Sequence, residues 1–234
     1  MSEAPFYDDA SSSESVWDAL AIGLAPGSAS IGLLEVSKVC RDRWRERLPR
    51  ARFDAIAFEG RTTLPRAVCG VPEGAYELAI LGDALARLYD PWDFLVQLRA
   101  RIAPGGQVAG WLPNVRNLIL LHQLAEGEFS YPAGAIGPDH LRFFTRSSTI
   151  AMFQETGYIV ERLTFVRDPR CVGMVLPDTG TSNVETEKLI ARNTSPLDRR
   201  ELLAEGFLVL ARPAHVEAPS GPGREDGEER EHAR

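Results

Sequence analysis

The sequence predicts an α/β domain with a doubly wound, mostly parallel sheet. Short apolar runs of strand length alternate with stretches of helical periodicity along most of the chain. Most of these runs are continuously apolar, which is typical of strands that helices cover on both faces. Strands and helices in alternation favour a parallel sheet, because each crossover helix packs on one face. The chain has 234 residues, 44% of them hydrophobic, which is enough for one core and suggests a single domain.

The segments expected to form strands share an apolar centre and a length typical of strands. They are residues 31–36, 53–59, 76–82, 107–112, 158–165 and 207–211. The expected core includes the large side chains Trp111, Phe143, Phe144, Ile150 and Phe153.

Helix signals lie between these runs. Ser11 and Glu14 have capping-box spacing and open a helix that Pro26-Gly27 stops. Asp90-Pro91 supplies an N-cap and a first helical residue, and Pro104-Gly105-Gly106 is expected to end that helix. Further helical segments are predicted at residues 41–49, 147–158, 184–192 and 198–205.

Both ends of the chain are expected to lie outside the domain, which then covers residues 11–211. Residues 1–10 are predicted to be a loose start. Residues 212–234 are rich in Pro, Gly, Glu and Arg and almost free of apolar side chains, so a disordered tail is predicted.

Composition excludes several classes of partner. The formal net charge of −7 gives no reason to expect a nucleic acid or an anionic membrane. Cys40, Cys69 and Cys171 are widely spaced, so free thiols are expected rather than disulfides or a metal site. No apolar run approaches bilayer length, so a soluble, cytoplasmic protein without a membrane partner is expected.

The most informative stretch runs from residue 113 to residue 157. It contains PNVRN at residues 113–117 and HLRFFT at residues 140–145, and a Pro-Gly-Gly turn and an apolar run lead into it. This pattern resembles the class I S-adenosylmethionine-dependent methyltransferases, in the branch that methylates small molecules, lipid quinones, sugars and glycans. The resemblance implies a seven-stranded, Rossmann-like class I methyltransferase sheet that ends in an antiparallel hairpin. The short interval from Glu59 to Asp83 allows one strand to be shortened or lost.

Two registers compete for the loop that would cradle S-adenosylmethionine. One places the loop at residues 23–27 and keeps two glycines. The other makes residues 31–36 the first strand, with Glu35 as the family's first acidic residue. The second register is preferred, because Glu59 follows Glu35 at close to the family's usual interval. Under it, the resemblance implies that the cofactor contacts are Glu35, Ser37, Glu59 and Asp83.

The cofactor half departs from the family pattern. Residues 37–41 contain no glycine where the family has two or three. Each residue other than glycine that is forced to a positive φ costs about 1–2 kcal/mol. Two such positions predict a loss in cofactor affinity of about 10- to 1000-fold. The family's Glu-His-Leu after the fourth strand is also replaced, by Ala86-Arg87-Leu88.

The lid segment, residues 126–145, follows the family pattern more closely. The resemblance implies acceptor contacts from Asn114, Tyr131, Asp139 and Arg142. His140 is the candidate catalytic base, since imidazole titrates near neutral pH. The alternative interpretation is that His140 and Arg142 pin the lid to the body of the domain through hydrogen bonds.

Two functional hypotheses follow. In the first, the protein is a divergent S-adenosylmethionine-dependent methyltransferase that acts on an oxygen of a sugar, another glycan or a small metabolite. In the second, it is a non-catalytic pseudo-methyltransferase that serves as a binding module or contacts a protein partner. Fold alone does not decide between them.

Overall fold

A seven-stranded sheet forms the centre of the molecule in the computed structural model. The structure describes residues 5–10, 30–34, 45–46, 52–56, 72–129, 131 and 136–214. Across the sheet the strand order is β1-β6-β9-β5-β4-β2-β3. These strands are β1 (Phe6–Ala10), β2 (Ser30–Leu34), β3 (Arg52–Ile56), β4 (Tyr76–Gly82), β5 (Ile102–Pro113), β6 (Tyr158–Arg167) and β9 (Ala204–Pro213). A separate two-stranded sheet pairs β7 (Ser182–Glu185) with β8 (Ile190–Thr194).

The strand directions confirm the predicted mostly parallel sheet. Strands β1 and β6 pair in parallel, as do β2 with β3, β2 with β4, and β4 with β5. Strand β9 lies between β5 and β6 and is antiparallel to both. The predicted antiparallel hairpin of the last two strands is therefore confirmed. Strand β2 also lies where the preferred register places the first strand.

The helices that connect these strands along the chain pack on the sheet. They are α1 (Ala84–Arg87), α2 (Pro91–Arg99), α3 (Leu118–Ala125), α4 (Arg146–Glu155) and α5 (Pro196–Leu202). The predicted cap of α2 is confirmed, because the Asp90 side chain accepts a hydrogen bond from the Asp93 N–H at 3.0 Å and Pro91 begins the helix. One side of the sheet packs against α1, α2 and α4 through fully buried residues that include Leu81, Leu85, Phe94, Phe153 and Phe207.

The N-terminal residues are not loose, and this prediction is wrong for residues 6–10. They form β1 at one edge of the sheet, beside β6. Tyr7 packs against Phe165 with ring centroids 6.0 Å apart, and Asp9 forms an ion pair with Arg200 at 3.0 Å. These contacts join residues far apart in the sequence, so the local pattern gave no sign of the strand. At the other end of the chain, β9 includes the first two residues of the predicted tail, Arg212 and Pro213.

The Pro-Gly-Gly turn does not end α2, which stops at Arg99. It lies inside β5, where Tyr76 pairs with Ile102 but Leu78 pairs with Gln107. The additional residues form a bulge that needs both glycines. Gly105 has φ 79°, and a side chain on Gly106 would come within 2.9 Å of the Tyr76 carbonyl oxygen.

Two predictions between β6 and β9 need correction. Residues 184–192 are not helical, because they lie across the β7–β8 hairpin, whose turn is closed by a hydrogen bond from the Thr186 N–H to the Leu189 carbonyl. The second helix begins and ends earlier than predicted. Ser195 and Asp198 form a capping box at its start, and Glu205 already belongs to β9.

Most of the expected core is confirmed. Phe144 and Phe153 are buried, Ile150 packs against the core and Trp111 is half-buried. Phe143 is 49% exposed, so its predicted place in the core is wrong: the neighbouring Phe144 enters the core instead. The predicted helix that Ser11 opens lies outside the described residues, as do Cys40 and Cys69. Of the predicted helix at residues 41–49, residues 45–46 are described, and both are helical.

Candidate functional site

The carboxyl ends of the parallel strands gather polar residues at one edge of the sheet. Asp83 directly follows β4, Asn114 follows β5, and Asp168 follows β6. In open α/β sheets, ligands bind at this edge. The fold therefore places Asp83, a predicted cofactor contact, where a ligand is expected.

Asp83 is the centre of a charged cluster beneath the lid segment. Arg87 lies one helical turn away on α1 and donates to Asp83 Oδ2 from Nε at 3.0 Å and from Nη2 at 2.7 Å. Its remaining nitrogen, Nη1, lies 2.5 Å from Asp139 Oδ2 in the lid segment. Arg87 thus bridges two predicted site residues. Arg87 stands where the family has a histidine, and its role was not predicted, although its i, i+4 spacing from Asp83 signals an ion pair on a helix.

His140 lies on the other side of Asp83. Its Nε2 is 3.5 Å from Asp83 Oδ2, and its Nδ1 accepts a hydrogen bond from the Gly137 N–H at 3.1 Å. Because Nδ1 is the acceptor, the proton of the neutral ring sits on Nε2, facing the carboxylate. His140 is also largely buried. The ring is therefore held by two contacts within the protein.

The backbone of the lid segment is fixed to the end of α1. The N–H groups of Leu141 and Arg142 both donate to the Ala86 carbonyl, at 2.7 and 2.9 Å. The Arg142 guanidinium donates to the Tyr89 carbonyl and stacks 5.2 Å from the centre of the Tyr89 ring. Arg142 thus connects the lid to the loop after α1. Its predicted contact with an acceptor stays a prediction.

We expect Asp83→Asn to destabilise the protein more at pH 7 than near pH 2. Burial by itself raises the pKa of Asp83, but hydrogen bonds from His140 and Arg87 hold that pKa below its usual value. A carboxyl group with a lowered folded pKa contributes stability above its unfolded pKa of about 4, and this contribution is lost as the pH falls through the folded pKa. Urea unfolding of both proteins across this pH range measures the difference. Asp178→Asn, at an exposed site, is the control, and a cost of Asp83→Asn that does not shrink at low pH would contradict the expectation.

Asn114 is a structural residue at the end of β5. Its side chain is 1% exposed and donates from Nδ2 to the carbonyls of Glu201 and Ala204, at 2.7 and 2.9 Å. Its Oδ1 accepts from the Arg116 N–H at 2.9 Å. These three bonds leave little capacity for the predicted acceptor contact.

A second buried polar group lies beside it and was not predicted from the sequence. Asn117 caps α3 through Oδ1 and donates from Nδ2 to Asp168 Oδ2 at 3.1 Å. Arg170 completes the group, with Nη2 2.7 Å from the same oxygen. The available signal was an asparagine directly before an apolar helical run, which is a typical N-cap.

The remaining predicted residues are not brought into this cluster by any described contact. Tyr131 is partly exposed and packs edge-to-face on Phe129, with centroids 4.7 Å apart. Glu35, Ser37 and Glu59 lie outside the described residues. Within the described part of the chain, no group of histidine, cysteine and acidic side chains could hold a metal ion, and Cys171 is a buried free thiol. No helix in that part is both long enough and apolar enough to span a bilayer.

Comparison with known proteins identifies the fold. No protein-family model and no curated protein matches the sequence. A solved SAM-dependent methyltransferase from Archaeoglobus fulgidus superposes with a TM-score of 0.54 at 11% identity, covering 85% of this chain and 93% of that one. A SAM-dependent methyltransferase from Aquifex aeolicus gives 0.48 at 11% identity, covering 85% of this chain and 87% of the other. The likeness to the Archaeoglobus enzyme, together with the strand order, shows that this chain has the class I methyltransferase fold. The O-methyltransferase branch stays a prediction.

Proposed function

We propose that this protein uses the class I methyltransferase fold as a binding module and does not transfer methyl groups. The observation that carries this proposal is the hydrogen bonding of His140. A general base needs a free lone pair within reach of the acceptor's proton. The lone pair of Nδ1 accepts the Gly137 N–H, and the Nε2–H faces Asp83. The candidate base is therefore used to hold the lid segment against Asp83.

Other predicted site residues support the same interpretation. Arg142 is held by Tyr89 and Asp139 by Arg87. Asn114 is held by the carbonyls of Glu201 in α5 and Ala204 at the start of β9. The absence of glycine from residues 37–41 also predicts weak cofactor binding.

Exposed aromatic side chains make the lid suitable for contact with a partner protein. Phe129, Tyr131 and Phe143 lie on the lid segment, and Tyr89 lies on the loop to which Arg142 binds. All four are exposed. Aromatic residues are enriched at protein interfaces because they bury a large area with few rotatable bonds.

O-methyl transfer to a sugar or small metabolite is the second candidate. It is favoured by the position of Asp83, a carboxylate held ionised directly after β4 and next to the lid. S-adenosylmethionine, when bound, would supply the methyl group. Asp83 is the one predicted cofactor contact within the described residues, and its Oδ2 already accepts from Arg87. For His140 to take the acceptor's proton, Nδ1 would first have to release the Gly137 N–H.

Calorimetric titration of the full chain with S-adenosylmethionine and with S-adenosylhomocysteine tests the proposal. The absence of glycine from residues 37–41 predicts cofactor binding about 10- to 1000-fold weaker than a glycine-containing loop would give, so we expect no saturable heat at micromolar ligand. Circular dichroism and cooperative urea unfolding establish that the titrated protein is folded. Saturable binding at micromolar concentration would overturn the proposal, and its loss in Asp83→Ala would locate the cofactor at the predicted site.

A further inference from the structure

A second site lies at the same edge of the sheet but away from the Asp83 cluster. It is a cavity of about 470 Å³ bounded by β1, β6, α5 and the segment of residues 173–178. Strand β6 is separated from β4 by β9 and β5, which places the two sites about 14 Å apart at the usual strand spacing. None of the residues around the cavity belongs to the Asp83 cluster. Its volume lies within the range of about 300–1,000 Å³ that small-molecule sites occupy.

The walls of the cavity are mainly apolar. They include Phe165 of β6, Met174 and Leu176 of the segment after the 3-10 helix (Pro169–Cys171), and Leu203 and Ala204 where β9 begins. Val175 also faces the cavity and is 91% exposed. Such walls favour a ligand with an apolar body.

A buried cation lies against these walls. The Arg199 side chain is 2% exposed, yet the atoms that accept its hydrogen bonds are carbonyl and hydroxyl oxygens. These oxygens belong to Pro177, Thr179, Gly180 and Thr194. Within the described residues no carboxylate pairs with it. The positive charge of Arg199 is thus solvated but not neutralised, so the cavity favours an anion.

The nitrogens of Arg199 already donate hydrogen bonds within the protein, so the donors available to a ligand come from Arg167. Both hydrogen bonds of Arg167 come from Nη2, to the carbonyls of Cys171 at 3.0 Å and Met174 at 2.5 Å. Its Nε and Nη1 donate to none of the described groups and remain available to a ligand. A guanidinium that faces an apolar cavity is well suited to a carboxylate or phosphate.

The acidic side chains of the cavity do not cancel this charge. Both carboxylate oxygens of Asp9 accept from Arg200 Nε at 3.0 Å. Arg200 also stacks on Phe165, 4.9 Å from the ring centre. Asp178 lies exposed at the rim. Three guanidinium groups therefore face two carboxylates, one of which is already paired.

We propose that this cavity binds a small molecule with a single anionic group, a carboxylate or a phosphate monoester, on an apolar body. Arg167 donates hydrogen bonds to the anionic group, Arg199 contributes its field, and the apolar walls hold the rest of the ligand. This inference does not depend on the proposed absence of methyl transfer, because the two sites share no residue.

Titration of the full chain with octanoate, octyl phosphate, 1-octanol and octylamine tests the proposal. We expect the anionic probes to bind about tenfold more tightly than octanol, because a hydrogen bond to a charged group contributes about that much affinity. Octylamine should bind no better than octanol. The tighter of the two anions identifies the headgroup. Equal affinity for octanoate, octanol and octylamine would overturn the proposal.

A pair of arginine variants locates the ligand. Arg167→Gln is expected to weaken octanoate binding about tenfold. Arg162→Gln is the matched control, because Arg162 lies on the same strand but stacks on Phe6 outside the cavity. The affinity of this variant for octanoate should equal that of the wild-type protein. Since Arg167→Gln also removes contacts to residues 171–174, hydrogen exchange of the wild-type protein provides a second readout. Octanoate should protect residues 173–178, and protection confined to other segments would overturn the assignment.

Discussion

Phe207→Ala is expected to lower the free energy of unfolding by about 3–5 kcal/mol, the range for an aromatic residue removed from a core. Phe207 is fully buried in β9, where it pairs with Leu112 on one side and with Phe165 on the other. Its ring meets that of Phe165 edge-to-face, with centroids 5.7 Å apart. The substitution therefore leaves a cavity at the centre of the sheet. Urea unfolding monitored by circular dichroism measures the loss.

Phe143→Ala is the matched control for this prediction. It removes the same atoms from a side chain that is 49% exposed, so the expected change is within about 0.5 kcal/mol. Equal losses for the two variants would show that Phe143 is buried in solution and that the described lid conformation is not the stable one.

Glu201→Ala is expected to cost about 3 kcal/mol, near the lower end of the range for breaking a buried ion pair. The Glu201 side chain is 1% exposed and accepts from Arg116 Nη1 at 2.9 Å and from the Arg146 N–H, also at 2.9 Å. Both arginine side chains are partly exposed, so water compensates for part of the loss. Because Arg146 begins α4 and Arg116 precedes α3, the variant should loosen the ends of both helices. Urea unfolding gives the total cost, and hydrogen exchange of the two helices locates it.

Two further variants make the Glu201 prediction specific. Glu201→Gln keeps the size of the side chain and one acceptor oxygen for the Arg146 N–H, so we expect about half the cost of the alanine variant. Glu187→Ala removes an exposed carboxylate from the β7–β8 turn and should change stability by less than about 0.5 kcal/mol. A Glu201→Ala cost no larger than that of Glu187→Ala would contradict the buried network.

The elements that could be predicted from the sequence are those whose signals are local. The strand-length apolar runs at β2, β4, β5, β6 and β9 lie where expected, because a strand buried on both faces needs continuous apolar residues. The start of α2 was predictable because the Asp90 side chain caps the helix three residues away. Strand β1 was not predictable in this way, since its stabilising contacts come from residues of β6 and α5.

Some residues of the candidate site could be predicted from the sequence, but the contacts between them could not. Asp83 and His140 could be named from their positions in the chain, but their meeting could not, because they are brought together by docking of the lid on α1. Arg87 acquires its role only in the folded protein, where it pairs with Asp83 on its own helix and with Asp139 across the lid. The cavity beside Arg167 and Arg199 had no sequence signal. Its walls come from β1, β6, α5, β9 and an irregular segment.

The class of fold, the order of the main strands along the chain and the capped start of α2 were predictable without the structure. Each of these depends on interactions within a few residues or on the apolar period of one segment. Which polar groups find hydrogen-bond partners within the protein depends on the fold. Three side chains suited to binding or catalysis are engaged within the fold. His140 accepts from Gly137, Asn114 donates to β9, and Arg142 donates to Tyr89. A buried hydrogen-bonding group must find a partner, and which partner it finds is set by segments that folding brings together from distant parts of the chain.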